Sequence, residues 1–174
     1  MRVKILSIDR SSIASLAGFA GLLGVAMLSP LFHQQFVTGT MVNAVLFIST
    51  ALLGWPSAVA IGAIPSLIAV SIGTLPQALI PMIPFIITSN TLLIVVFHLL
   101  KNKNAWLGAI TGATVKFLFL YASSVTLFGF IFPQKIAASA GAMMSWPQFY
   151  TALTGGITAF LVLKIIRQRL HLVD

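Results

Sequence analysis

One lysine stands in the middle of a long apolar segment, and it is the residue whose chemistry most needs an explanation. Lys116 follows the start of that segment, Ala105, by eleven residues, so in a helix it would lie about 16 Å deep. Inserting a central lysine into a membrane costs about 2.5–3.5 kcal/mol. The chain has 2 acidic residues, Asp9 and Asp174, both near its ends. The apolar segments therefore offer Lys116 no carboxylate partner.

Three states of Lys116 are open at this point. The amine is neutral, because burial disfavours its charged form, or it is solvated by backbone carbonyls, hydroxyls and water, or it binds an anionic group of a ligand. The structural alternative is a side chain that extends toward the lipid headgroups, although the depth is large for that. We expect the ligand role.

Polar residues on neighbouring segments suggest a pocket around this lysine. On a 3.6-residue period Ser123 shares a face with Lys116, and the last apolar segment carries Gln148 and Thr151. Asn90 lies in the first half of the fourth apolar segment. Because polar groups inside lipid usually point into the bundle, we predict that these residues contact a ligand. The alternative for the threonine is that it merely lets helices pack closely.

A polar stretch at 33–40 separates the first two apolar segments and is predicted to be a loop. Its side chains can donate and accept hydrogen bonds, so we interpret it as a lid over the pocket, the alternative being an ordinary interfacial loop. The lid residues are His33, Gln34, Gln35 and Thr38. Asn43 follows at the start of the next helix and either reaches the pocket or caps that helix.

The composition predicts that lipid, not water, surrounds these segments. Charged residues make up 7% of the 174 residues, against roughly 25% in soluble domains, and 59% are hydrophobic. Such a surface needs lipid, so we predict a single all-α integral membrane bundle over residues 1–174. Since a span needs roughly 20 apolar residues, we predict six transmembrane helices, at about 11–29, 40–53, 57–73, 81–100, 105–130 and 147–166.

Basic residues predict the orientation of this bundle. With six spans one side holds eight of them and the other side only Lys135, which is a strong positive-inside signal. Both ends of the chain are then cytoplasmic, and the loops at 33–40, 75–81 and 132–145 face outward. The net charge of +8 therefore sets orientation, and we expect no nucleic-acid partner. The eight are Arg2, Lys4, Arg10, Lys101, Lys103, Lys164, Arg167 and Arg169.

Several kinds of chemistry are excluded by the residues that are missing. With 0 cysteines and no carboxylate in the interior, thiol catalysis, disulfides, paired-carboxylate hydrolysis and carboxylate-bound metals are ruled out. His33, His98 and His171 are too scattered for a metal site, and no phosphate-binding Gly-x-x-x-x-Gly-Lys-Ser/Thr loop exists. We therefore expect no catalytic residue, no metal and no cofactor.

The first apolar segment carries pairs of small residues four positions apart. Such spacing lets another helix approach closely, and the partner is either internal or another subunit. The pairs are Ala14 with Gly18, Ala17 with Gly21, and Ala20 with Gly24.

Residues 35–44, 54–62 and 80–85, with the helix count and basic charge, resemble the substrate-binding S component of energy-coupling factor (ECF) transporters. The resemblance covers nearly the whole chain. It implies a multi-pass subunit of a prokaryotic cell membrane that binds a vitamin or similar micronutrient. A transmembrane coupling subunit and two ATPase subunits would be its partners.

The resemblance also assigns roles to residues. In that family the loop after helix one covers the site, and helices four to six supply most ligand contacts. Helix one of the family carries an Ala-xxx-Ala motif that docks on the coupling subunit, whereas this chain has glycine at the second place of each pair. The ligand contacts that the resemblance implies are His33, Gln34, Gln35, Asn90, Lys116, Gln148 and Thr151.

Two other functions are compatible with these residues. A structural membrane protein of the rod-shape scaffold type would bind no ligand and would not depend on Lys116. An intramembrane enzyme acting on lipid would use Lys116 as a base or nucleophile, but the sequence places no carboxylate near it.

Overall fold

The computed structural model describes residues 10–71, 77–126, 130 and 133–170, and this part of the chain is helical without a strand. The predicted all-α class is therefore confirmed. Short 3-10 helices, Ser29–Phe32 and Gln77–Met82, precede α2 and α4. The α-helices are α1 (Arg10–Leu28), α2 (Gln35–Leu52), α3 (Trp55–Ser71), α4 (Ile83–Leu100), α5 (Ala105–Thr126), α6 (Gln134–Met143) and α7 (Trp146–Leu170).

Most of these helices have the length and composition of membrane spans. In the described part, 5 segments are long and apolar enough to cross a bilayer, and they contain α1, α2, α4, α5 and α7. Helix α3 is shorter, with 17 residues, and is apolar over Trp55–Ile68. Large apolar side chains such as Leu16, Val125 and Leu161 are exposed on the outside of the bundle, as lipid contact requires.

The three predicted outer loops are in fact partly helical, and 75–81 overlaps the 3-10 helix Gln77–Met82. Helix α2 begins at Gln35, five residues before the predicted position, so the prediction of a loop is wrong for 35–40. The chain turns instead at His33, whose φ is 50°, and at the extended Gln34. Gly39 lies within this helix, and its lack of a side chain makes room for Thr151, since a Cβ there would lie 3.0 Å from the Thr151 side chain. The predicted outer loop 132–145 likewise contains α6.

Other predicted boundaries fall partly outside the described residues. The described part of α3 ends at Ser71 and that of α5 at Thr126. The ends predicted for these two helices, 73 and 130, lie beyond those residues, so they are not tested. The last helix runs from Trp146 to Leu170, four residues beyond its predicted end. Among the residues named above, Arg2, Lys4, Asp9, His171 and Asp174 lie outside the described ranges.

Two helix pairs, α2 with α7 and α4 with α5, form the closest packing of the bundle. The main core joins them: the ring of Phe47 on α2 meets that of Phe97 on α4 edge to face, with centroids 4.9 Å apart. Such a ring pair contributes about 0.5–1.5 kcal/mol beyond its buried area. On α5, a Cβ at Gly112 would lie 3.0 Å from the Leu93 carbonyl oxygen, so this glycine lets α5 approach α4 closely.

The bundle has two chemically different ends. Lys101, after α4, donates a hydrogen bond of 2.8 Å to the Thr50 carbonyl near the end of α2, and Lys164 and Arg167 lie beside it on α7. We call this the basic end. The opposite end is formed by the first turns of α2 and α7 and the last turn of α6, where Gln35 and Gln148 meet.

Candidate functional site

Lys116 lies inside the bundle and is held by two side-chain amides. Its Nζ atom donates to Asn43 Oδ1 at 2.7 Å and to Asn90 Oδ1 at 2.8 Å, and its side chain is 3% exposed. The three residues come from α5, α2 and α4. The lysine therefore does not extend toward the headgroups, and its hydrogen-bond acceptors are neutral amides.

Asn43 connects Lys116 to the last helix. While its Oδ1 accepts from the lysine, its Nδ2 donates to the Gly39 carbonyl at 2.8 Å and weakly to Thr151 Oγ1 at 3.4 Å. Thr151 donates in turn to the Gln148 carbonyl at 3.2 Å. Asn43 thus reaches the interior and does not cap α2. We call Lys116, Asn43, Asn90 and Thr151 the polar cluster.

Glycines bring the two sides of the polar cluster together. A Cβ at Gly155 of α7 would lie 2.7 Å from the Asn43 Cβ and 2.9 Å from the Ala44 backbone nitrogen. At Gly39 the nearest atoms belong to Thr151. These close approaches let Asn43 and Thr151 touch.

The two predicted glutamines meet at the opposite end of the bundle. Gln35 Nε2 donates to the Met143 carbonyl at 3.0 Å, and Gln148 Nε2 donates to the same oxygen at 3.2 Å. Through this shared acceptor, α2 and α7 are both attached to the last turn of α6. Because the Gln148 carbonyl also accepts from Thr151, this contact borders the polar cluster.

The other predicted site residues do not hydrogen-bond to the polar cluster. Thr38 donates to the Ser29 carbonyl at 2.9 Å and so ties α2 to the preceding 3-10 helix. Ser123 donates to the Phe119 carbonyl of its own helix at 2.7 Å. His33 and Gln34 form the exposed turn before α2.

The polar cluster is closed in this conformation. Each of its four side chains is at most 4% exposed. Two of the clefts in the described part, one of about 790 Å³ at the basic end and one of about 270 Å³ between α5 and α7, are not lined by Lys116. The sequence predicts an open cavity beside Lys116, and neither of these two clefts is that cavity.

Aromatic side chains cluster between α5 and α7 toward the opposite end. Phe117 packs on Trp146 with ring centroids 4.9 Å apart and on Tyr121 at 5.7 Å, while Trp146 stacks on Tyr150 at 6.1 Å. Tyr121, Trp146 and Tyr150 are about half exposed. Amphipathic rings of this kind are enriched at membrane interfaces, so they mark that level of the bundle.

The small-residue stripe of α1 is largely uncovered. A Cβ at Gly21 or Gly24 would meet no atom within 4 Å, whereas Gly18 packs near Leu53. Of the other predicted contact residues, Ala14, Ala17 and Ala20 are exposed. Within the described chain this stripe is therefore not the main internal packing face of α1.

The fold and the site define a helical bundle, with several helices long and apolar enough to cross a membrane, built around a buried lysine. Within the described ranges no cluster of three or more His, Cys, Asp or Glu side chains is suited to a metal. Comparison with protein-family models, curated proteins and solved structures finds no match for this chain.

Proposed function

We propose that this chain is the substrate-binding S component of an ECF-type transporter, taking up a vitamin or similar micronutrient with an anionic group. The observation that carries the proposal is Lys116, whose ammonium has two amide acceptors from two other helices but no carboxylate among the described residues. Amides satisfy hydrogen bonds without neutralising charge. An anionic ligand would supply the missing charge, and burial from water would strengthen that pairing.

The proposal places six spans in the membrane, with the basic end in the cytoplasm. Helix α3, with 17 residues, is about 26 Å long, just enough for a hydrocarbon core that needs about 17–25 residues. The basic end is then the cytoplasmic one by the positive-inside rule. The uncovered stripe of α1 would bind the coupling subunit, with two ATPase subunits supplying energy.

A ligand from outside would have to open the polar cluster. At the opposite end, α6 is attached to α2 and α7 through the Met143 carbonyl, which accepts from Gln35 and Gln148. Moving α6 away breaks these two exposed hydrogen bonds and brings solvent toward Thr151. The glutamines and the cluster amides would then bind the neutral part of the ligand, while Lys116 binds its anionic group.

A structural membrane protein is the second candidate, and the closed polar cluster favours it. Lys116 joins α5 to α2 and α4 through two short hydrogen bonds, which would also serve a bundle that binds nothing. The lipid-modifying enzyme has no such support, since no described carboxylate orients Lys116 as a base.

Ligand-induced stabilisation distinguishes the two candidates. The purified chain in detergent is screened by thermal unfolding against vitamins, anionic and neutral, because a ligand at a hundred times its Kd adds about 2.7 kcal/mol. We expect an anionic compound to stabilise the protein and Lys116→Met to abolish that shift. Lys103→Met, which removes an exposed lysine at the basic end, is the matched control and should keep it.

Two results of this experiment would contradict the proposed function. If Lys116→Met keeps full affinity for the stabilising ligand, charge pairing at Lys116 is wrong. If no compound in the panel stabilises the protein and Lys116→Met leaves its cellular function intact, the structural role replaces the transport role.

A further inference from the structure

The larger cleft lies at the basic end, away from the polar cluster. It has a volume of about 790 Å³, within the usual range of small-molecule sites, and opens among α2, α7 and the turn between α4 and α5. Its floor is apolar: Phe97 and Leu163 are buried, and Phe160 is half-buried. Nothing in the proposed transport of a ligand uses these residues.

The rim of the cleft is cationic. Lys101, Lys164 and Arg167 line it, and no acidic side chain is among the described residues that do so. Lys101 uses one of its three ammonium donors on the Thr50 carbonyl, whereas Lys164 and Arg167 are exposed. Three positive charges with no counter-charge among the described lining residues favour a strongly anionic group.

We propose that this cleft binds an anionic phospholipid of the leaflet at the basic end, with the phosphate on the rim and the acyl chains along the floor. A basic rim above an aromatic and aliphatic floor, at the end of membrane-spanning helices, matches the two chemical parts of such a lipid. Trp106, about half exposed, packs on Phe160 with ring centroids 4.5 Å apart, so an interfacial aromatic residue adjoins the same floor.

The apolar floor favours a lipid over a soluble anion as the ligand of this cleft. A free phosphate compound would bind the cations alone and would make no use of the apolar floor of the cleft. The lipid uses both surfaces, and the bilayer presents it at the depth where the cleft opens. The inference does not depend on whether the polar cluster binds a vitamin.

Binding of short-chain lipids to the full-length chain in a non-ionic detergent tests the proposal. Dioctanoyl phosphatidylglycerol is titrated and its Kd measured by thermophoresis, with native mass spectrometry to count bound lipids. We expect one saturable site. Lys164→Gln should raise the Kd about fivefold, and Lys164→Gln with Arg167→Gln about 25-fold, since each basic residue near a membrane surface contributes about a factor of five.

The matched control is Lys103→Gln with Arg169→Gln, which removes the same charge from the same end without touching the cleft lining. It should leave the Kd within about twofold of the unaltered protein. Equal weakening by both pairs would mean diffuse attraction and would overturn the site.

Two ligand controls complete the test. Dioctanoyl phosphatidylcholine, with the same chains and no net charge, should bind at least tenfold more weakly, and equal binding would overturn the role of the cations. Glycerol phosphate, which carries the charge without the chains, should not displace the lipid. If it competes as well as the lipid itself, the cleft is a soluble-anion site and the lipid proposal fails.

Discussion

The Nζ atom of Lys116 lies 2.7 Å from Oδ1 of Asn43, although 73 residues separate them in the chain. The same amide donates through Nδ2 toward Thr151, which is 108 residues further along. One asparagine therefore links α5, α2 and α7 at the centre of the bundle. Stability and any anion binding at this level should depend on the same few side chains.

Replacing Asn43 by leucine should destabilise the bundle. Asn43→Leu removes one acceptor from a buried ammonium, a loss of about 2–3 kcal/mol in the free energy of unfolding. Adding Lys116→Met should recover part of that loss, because the cation that needs the acceptor is then gone. Denaturation in mixed detergent micelles measures the free energy of unfolding of the unaltered protein, the two single variants and the double variant. Asn102→Leu, at an exposed position, is the control, and strictly additive effects would contradict the coupling.

Placing a carboxylate beside Lys116 should block an anionic ligand. Asn90→Asp keeps the shape of the side chain whose Oδ1 lies 2.8 Å from Nζ and supplies the counter-charge internally. We expect the affinity for the ligand found in the vitamin screen to fall at least tenfold while the unfolding temperature is maintained or raised. Asn102→Asp adds the same charge elsewhere and should leave affinity unchanged. Unaltered binding in Asn90→Asp would show that the ligand does not use Lys116.

Gly155, which packs against Asn43, should not tolerate a methyl group. In Gly155→Ala the new Cβ would lie 2.7 Å from the Asn43 Cβ and 2.9 Å from the Ala44 nitrogen, so α2 and α7 must separate. Overpacking of this kind costs about 1–3 kcal/mol. Gly21→Ala, where a Cβ meets nothing within 4 Å, should be neutral or slightly stabilising for the isolated chain. Thermal unfolding of the two variants in detergent compares them, and similar unfolding temperatures would argue against the close contact.

The absence of cysteine allows the orientation to be tested by single-cysteine labelling. In intact cells, a membrane-impermeant maleimide should label His33→Cys and Ala142→Cys, which lie at the opposite end. Lys103→Cys, in the turn after α4, should react only after the membrane is permeabilised. Reversed labelling would invert the proposed orientation, and labelling of all three from outside would reject the six-span topology.

Periodicity and hydropathy were sufficient for six of the seven described α-helices and for the inward position of Lys116. They failed at 35–40, where the polar stretch suggested a loop although these residues are helical. Short polar residues are compatible with either state, and the outcome depended on packing against α7. The ten-residue helix α6 was missed for a similar reason, since it is too short to give a membrane-span signal.

The sequence by itself predicted an all-α bundle of apolar helices long enough to cross a membrane, with one lysine to be accommodated among them without a carboxylate. Only the tertiary structure decided that its acceptors are Asn43 and Asn90 and that Gln35 and Gln148 share the Met143 carbonyl. The physical reason is that helical periodicity shows which residues share a face of one helix. Which faces meet is set by close approaches such as Gly155 against Asn43, and these depend on the packed bundle as a whole.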